Sequence, residues 1–240
     1  MKMIGNAFIV LFFAALVFAF PLSAQEQEEN GENGEETTVE ELFLESIEMR
    51  IVGEQAFSDD RDMKLTALEN IEEMIEEGEI SEDDTEAHYI LERLSNEGIG
   101  VQLMEGKRVV NNFPEVRRDA AKLLGKMGGE QAKDSLINIL LSDPEPMVMA
   151  EAAYALGEIG YNDEGQVTQA LSSSILNESI MTPDNNFAYA AVLSLEKIAE
   201  ANDGIQDPSA FRALIRISQG NYIRTVREKA DEVLDKLASY

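Results

Sequence analysis

The chain has 240 residues, no cysteine and a formal net charge of −28, with 47 acidic against 19 basic side chains. Without cysteine there is no disulfide, thiolate metal site or cysteine nucleophile, so burial alone must hold the fold. Such acidity repels polyphosphate and anionic lipid surfaces, which excludes nucleic acid as a partner class.

The first two dozen residues read as a targeting segment. Met1 and Lys2 precede an apolar run, Ala7 to Phe20, and small Ala24 stands at a cleavage edge before Gln25. The run is about 14 residues where a bilayer needs about 20. A signal peptide over 1–24 is expected, with an uncleaved anchor as the alternative. No cysteine follows the small residues, so no lipid is attached there. The expectation is an exported protein, periplasmic or secreted, with no stable membrane insertion after cleavage near Ala24. Gln25 to Glu36 is acidic and contains no apolar residue, so nothing offsets the entropy of ordering it, and 25–37 reads as a solvated linker. Charge is uneven beyond it: residues 25–105 carry a net −23 and residues 106–240 a net −6.

Residues 38–113 read as divergent helical repeats or a cap. Thr38 and Glu41 have capping-box spacing, and Val39, Leu42, Phe43, Ile47 and Ile51 follow at helical intervals. A second helix, Arg61 to Glu77, follows the Ser58-Asp59-Asp60 cap. Leu65, Leu68, Ile71, Met74 and Ile75 fall on one side of it, and Glu69, Glu72, Glu73 and Glu76 on a wet one. A third, about Asp84 to Asn96, carries Ala87, Ile90, Leu91 and Leu94. His88 is the sole histidine and reads as a surface residue rather than a ligand, because no second imidazole exists. Ser81 to Glu86 lacks the glycine and alternating ligands of a calcium loop, and capping accounts for it. Between Val101 and Phe113, the residues Val109, Val110 and Phe113 suggest a short buried helix or turn.

From Pro114 the chain repeats. PEVRRDAAKLLGKMG (Pro114 to Gly128) and PMVMAEAAYALGEIG (Pro146 to Gly160) agree at an offset of 32, with AKDSLINILL (Ala132 to Leu141) between them. On a helical wheel Val116, Ala120, Leu123, Leu124 and Met127 fall within about 100°, and Ala121 widens the arc to about 160°. So wide an arc suits a helix packed on more than one side. Gly128 and Gly129 end the first helix, Gly157 and Gly160 close the second, and Asp143 to Pro146 starts a new unit. The frame continues with Leu195 aligned 39 after Leu156, Leu234 a further 39 on, and Ile71 placed 53 before Leu124. Five first helices and at least three second helices make a solenoid, stabilised by stacking because no single pair buries its own apolar side.

The Pro-x-Val-Arg-x-x-Ala-Ala-x-x-Leu-Gly-x-x-Gly pattern of Pro114 to Gly128 resembles HEAT repeats, specifically the short bacterial class called bilin-lyase-type HEAT-like repeats. The resemblance is closest over 114–176 and extends over 184–239, within a repeat domain of 114–240. Met149 replaces the arginine found at Arg117, and Arg227 restores it. The resemblance implies an all-α fold, a right-handed α-α superhelix of about five helix pairs with second helices on the concave side, and protein partners. It does not by itself imply lyase activity.

No catalytic constellation emerges. A serine–histidine pair would rest on His88 alone, no phosphate-binding glycine loop is present, and carboxylates are too common to point anywhere. The expectation is therefore a chain that performs no chemistry and needs no metal or cofactor: a scaffold or adaptor in the cell envelope. A lyase-like or cofactor-attachment protein with a concave small-molecule pocket is one alternative, and a self-associating envelope component the other. Asn177-Glu-Ser179 is a formal glycosylation sequon and is discounted in a bacterial-looking repeat. Aligning second helices on Leu136, Leu171 and Leu214 stacks two outward rows: Asn138, Ser173, Arg216 and Asp134, Gln169, Arg212. These six residues are the candidate partner-binding set, a groove for an extended or helical peptide. Arg212, Arg216, Arg224 and Arg227 form an alternative cradle for the chain's own acidic leader.

Overall fold

A computed structural model describes residues 39–178 and 182–240. The targeting segment, the acidic leader, Thr38 of the expected capping pair and Ser179 of the sequon lie outside the described residues. Among the described residues ten α-helices carry the fold: α1 (Val39–Ala56), α2 (Arg61–Glu77), α3 (Thr85–Ser95), α4 (Pro114–Met127), α5 (Gly129–Ser142), α6 (Pro146–Ile159), α7 (Gln166–Asn177), α8 (Asn185–Ala201), α9 (Pro208–Ser218) and α10 (Arg224–Leu237). Local chemistry sets their starts. Asp60, Asp84 and Asp184 each accept two backbone N–H bonds at the heads of α2, α3 and α8, and Asp207 accepts one at α9. The helices α4 and α6 instead begin on Pro114 and Pro146, whose missing N–H costs nothing at that position.

The helices pack as two rows. First helices α2, α4, α6, α8 and α10 stack in sequence, and so do second helices α1, α3, α5, α7 and α9. This is the all-α superhelix that the repeat implies. Val116, Val148, Phe187 and Val226 occupy equivalent buried positions, as do Leu124, Leu156 and Leu195. Leu234 continues that spine and packs on the core, but is only partly buried because no described helix covers the far side of α10.

Glycine within the repeat does more than end helices. Gly160 closes α6 at φ +73°, whereas Gly157 lies inside α6, against the expectation that it helps close the helix. A methyl group added at Gly157 would lie 2.7 Å from Ser194 Cα, and one at Gly125 would lie 2.6 Å from Ala155 Cβ. The Leu-Gly pair of the repeat thus lets first helices touch backbone to backbone. Gly157→Ala should therefore destabilise: overpacking costs about 1–3 kcal/mol, against about 1 kcal/mol that alanine gains over glycine in a helix. Urea unfolding measures the sign, and a more stable variant would mean that α6 and α8 do not meet there.

Charged residues bridge the first helices on their outer side. Lys122 and Lys126 of α4 each reach Glu72 of α2 at 2.6 Å, and Lys126 reaches Glu76 at 2.7 Å. Lys197 pairs with Glu158, and Lys229 and Lys236 converge on Glu196 at 2.9 and 3.1 Å. The glutamate face of α2, expected to be simply wet, is in part an inter-helix contact.

The 101–113 segment departs from expectation. It is the turn of the two options but not a buried one: β1 (Met104–Glu105) pairs antiparallel with β2 (Arg108–Val109) around Gly106 at φ +66°, Val110 is exposed, and of the three apolar residues only Phe113 packs on the core. A polar residue anchors it instead. Asn111, buried, donates to Glu97 Oε1 at 2.6 Å and to Val101 O at 2.8 Å, and accepts from Leu103 N at 2.8 Å. Glu97 is itself buried and takes Lys64 Nζ at 3.2 Å, while Lys64 also donates to Ala56 O at 3.0 Å. Arg117, with no exposed surface, donates to Glu97 O, to Asn112 Oδ1 and, through Nε and Nη2, to both oxygens of Asp143 at 2.6 and 3.2 Å. Five segments converge on one dry polar cluster. Arg227, the same motif position in the last copy, is exposed.

Candidate functional site

Where glycines draw the first helices together, nothing comparable closes α5 on α7, and a trough of about 560 Å³ opens between them. Helical spacing puts Asp134 and Asn138, and likewise Ile137 and Leu141, four residues apart on one side of α5. Gln166, Gln169, Ala170 and Ser173 face them from α7. The trough has carboxylate, amide and hydroxyl groups along its edges and Ile137, Leu141 and Ala170 as its apolar surface; Leu141 is 56% exposed. Among the described residues Asp134 is the only ionisable side chain lining it. Lys133 does not line the trough but stands beside its carboxylate: its buried stem carries Nζ to Glu130, whose hydrogen bond raises the lysine pKa, with Asp134 Oδ1 at 3.5 Å. This arrangement can bind and orient an elongated polar ligand, with amides that both donate and accept.

Four of the six sequence-chosen residues, Asp134, Asn138, Gln169 and Ser173, thus share one trough. Arg212 and Arg216 line a separate pocket of about 330 Å³ on α9, with Ile215 and Tyr222. Arg216 donates to Glu178 O at 3.0 Å, and Tyr222 donates its hydroxyl to Glu178 Oε2 at 2.7 Å. Burial pushes the Glu178 carboxyl up, and burial together with that hydrogen bond pushes the Tyr222 hydroxyl up. Arg224 pairs with Glu228 on α10, and neither it nor Arg227 lines the Arg212–Arg216 pocket. Gln166, Ile137 and Leu141 were missed. The signal for Leu141 was its place five after the buried Leu136, on the outward arc of α5.

His88 is half-buried, not free on the surface, and its Nε2 lies 3.3 Å from Ser135 Oγ, linking α3 to α5. Among the described residues no group of three or more histidine or carboxylate side chains could hold a metal ion. No helix among them is long and apolar enough to cross a membrane.

A family model for HEAT repeats matches residues 107–179, from the hairpin through α7. No curated protein matches the sequence. Among solved structures the fold is similar to the complex of CpcE and CpcF of phycocyanin lyase from Nostoc sp. PCC7120, with a TM-score of 0.55 and 18% identity over 91% of this chain and 71% of that one. Identity this low carries the fold, and the activity in that name belongs to that complex. The match nevertheless overturns the expectation of a chain outside enzyme chemistry. That expectation rested on missing triads and phosphate loops, and a lyase complex is built on this same solenoid, so such motifs are no guide to whether it serves a reaction. Repeat signature and fold agree: residues 107–179 carry HEAT repeats, and the described helices stack as an α-α solenoid similar in fold to that lyase complex.

Proposed function

We propose that this protein is a lyase-like or cofactor-attachment solenoid that holds an elongated, polar-edged small molecule in the α5–α7 trough and works against a protein partner. One observation carries the reading: a trough of about 560 Å³ with convergent amide, hydroxyl and carboxylate groups over an apolar surface, within the range of small-molecule sites. Similarity to a lyase complex supports it, as does the HEAT signature, a repeat suited to protein partners. In this role Asn138, Gln169 and Ser173 fix the ligand's orientation, and Asp134 offers a single charged acceptor; positioning is their contribution to any bond made or broken. Export through residues 1–24 and work in the cell envelope belong to the same proposal, supported by the sequence pattern there.

A thermal-shift screen of the full chain against a library of organic cofactors tests it. A ligand at a hundred times its Kd should stabilise the fold by about 2.7 kcal/mol, and Asn138→Ala with Gln169→Ala should remove that gain. A library that shifts nothing, or shifts that the double variant retains, would sink the trough reading.

A further inference from the structure

We infer that the groove between α1 and α2 docks a basic amphipathic helix of a protein partner, one that presents lysine or arginine side chains four residues apart. This surface is separate from the trough, and the inference stands whether or not the trough holds a ligand.

The groove has a volume of about 410 Å³. Val52 of α1 and Met74 of α2, both buried, form its floor, and Ile51, 47% exposed, offers an apolar contact beside them. Glu48, Glu73 and Glu77 rim it, and among the described residues no basic side chain lines it. Asn70 Nδ2 donates to Gln55 Oε1 at 3.0 Å, which ties the two helices together and holds the groove's width.

The neighbouring flank of α2 shows what such a surface binds. Glu72 and Glu76, four residues apart, meet Lys122 and Lys126 of α4, also four apart, at 2.6 and 2.7 Å. The pattern recurs down the stack, where Lys197 of α8 meets Glu158, and Lys229 and Lys236 of α10 meet Glu196. Glu73 and Glu77 repeat the same spacing about 100° further round the helix. Yet neither they nor Glu48 make a hydrogen bond or ion pair among the described residues. This flank therefore lacks the lysine-bearing helix that α4 supplies to the other.

A solenoid end needs a polar face for solubility, but that need alone does not produce this one. At the opposite end, α10 exposes Arg224 and Arg227 together with Glu228, Asp231 and Glu232, and Arg224 pairs with Glu228. The α1–α2 groove instead carries one sign of charge around an exposed isoleucine, in the part of the chain, residues 25–105, with a net −23. A basic amphipathic helix answers each feature. Its cations meet the glutamates, its apolar side covers Ile51 and Met74, and its four-residue spacing matches that of Glu73 and Glu77.

The test titrates the synthetic helix AKLLAKALAKLLAKA into the full chain at about 0.15 M salt, where charges further apart than about 8 Å are screened. Binding is followed by NMR at isoleucine and methionine methyl groups. The Ile51 and Met74 signals should move and saturate. A version with glutamine for every lysine should bind about tenfold more weakly or worse, and one with serine for every leucine should not bind. Glu73→Gln with Glu77→Gln should weaken the parent helix about tenfold, whereas Asp231→Asn with Asp235→Asn, which removes the same charge from α10, should leave its affinity unchanged. Equal losses from the two double variants would reduce the effect to general attraction and overturn the groove, as would shifts that spare Ile51 and Met74. Sedimentation of the protein alone checks the other occupant: self-association that Ile51→Ser abolishes would give the groove to a second copy and overturn the proposal.

Discussion

Arg117→Ala should cost about 3–5 kcal/mol, the largest loss expected of any single change in this fold. Arg117 has no exposed surface and holds both oxygens of Asp143, the carbonyl of Glu97 and the side chain of Asn112. The substitution removes the cation and leaves behind a buried carboxylate, an unpaired carbonyl and a cavity. Asp143 also accepts from Glu145 N at 2.9 Å, so the turn into α6 loosens with it. For a chain of this size each kcal/mol moves Tm by about 2–4 °C, so a fall of about 6–20 °C should appear in thermal circular dichroism. Arg117→Met with Asp143→Leu should recover most of the loss, because the pair's value is mainly the avoidance of a lone buried charge. A single variant that unfolds within about 2 °C of the parent would show that Arg117 is not enclosed.

Leu156→Ala should cost about 2–5 kcal/mol through lost burial and the cavity left in the spine. Leu156 is wholly buried in α6, the helix that packs on both α4 and α8 as well as on α5. Three neighbours hold the walls of the site apart, so collapse cannot fill the hole. Leu234→Ala, at the same repeat position but half-covered, should cost clearly less. Chemical denaturation of the two variants side by side checks the gradient, and equal losses would mean the spine does not run as drawn.

Most of the solenoid was legible because helix periodicity and proline and glycine punctuation are local signals. The Pro-x-Val-Arg frame located α4 and α6, offsets of 39 located α8 and α10, and aspartate caps located α2 and α3. The polar interior was not legible. Lys64, Glu97, Asn111, Arg117 and Asp143 come from separate stretches and look in sequence like solvated residues. The motif arginine is no guide by itself: Arg117 is buried because Asp143 waits opposite, whereas Arg227 has no described residue in that role and stays in water. The hairpin was hidden for a related reason, since three valines and a phenylalanine too closely spaced to show a period surround an asparagine that does the anchoring. At the candidate site, alignment of second helices placed Asp134, Asn138, Gln169 and Ser173 side by side. It could not show that the trough ends before α9, because where a trough closes depends on helix separation, and that is set by contacts on the opposite row.

The dry cluster also decides where this protein can be divided. By sequence the obvious joint is just before Pro114, where divergent helices give way to regular copies. By structure that joint is a clasp: Lys64 from α2, Glu97 from the end of α3 and Arg117 from α4 close on one another across it. Severing the chain there would strand a guanidinium on one fragment and a carboxylate–ammonium pair on the other, each stripped of much of the shell that makes its burial tolerable. The irregular front end and the repeats behind it are bound to melt together, so the protein's early helices act as a keystone for copies that look self-sufficient on paper.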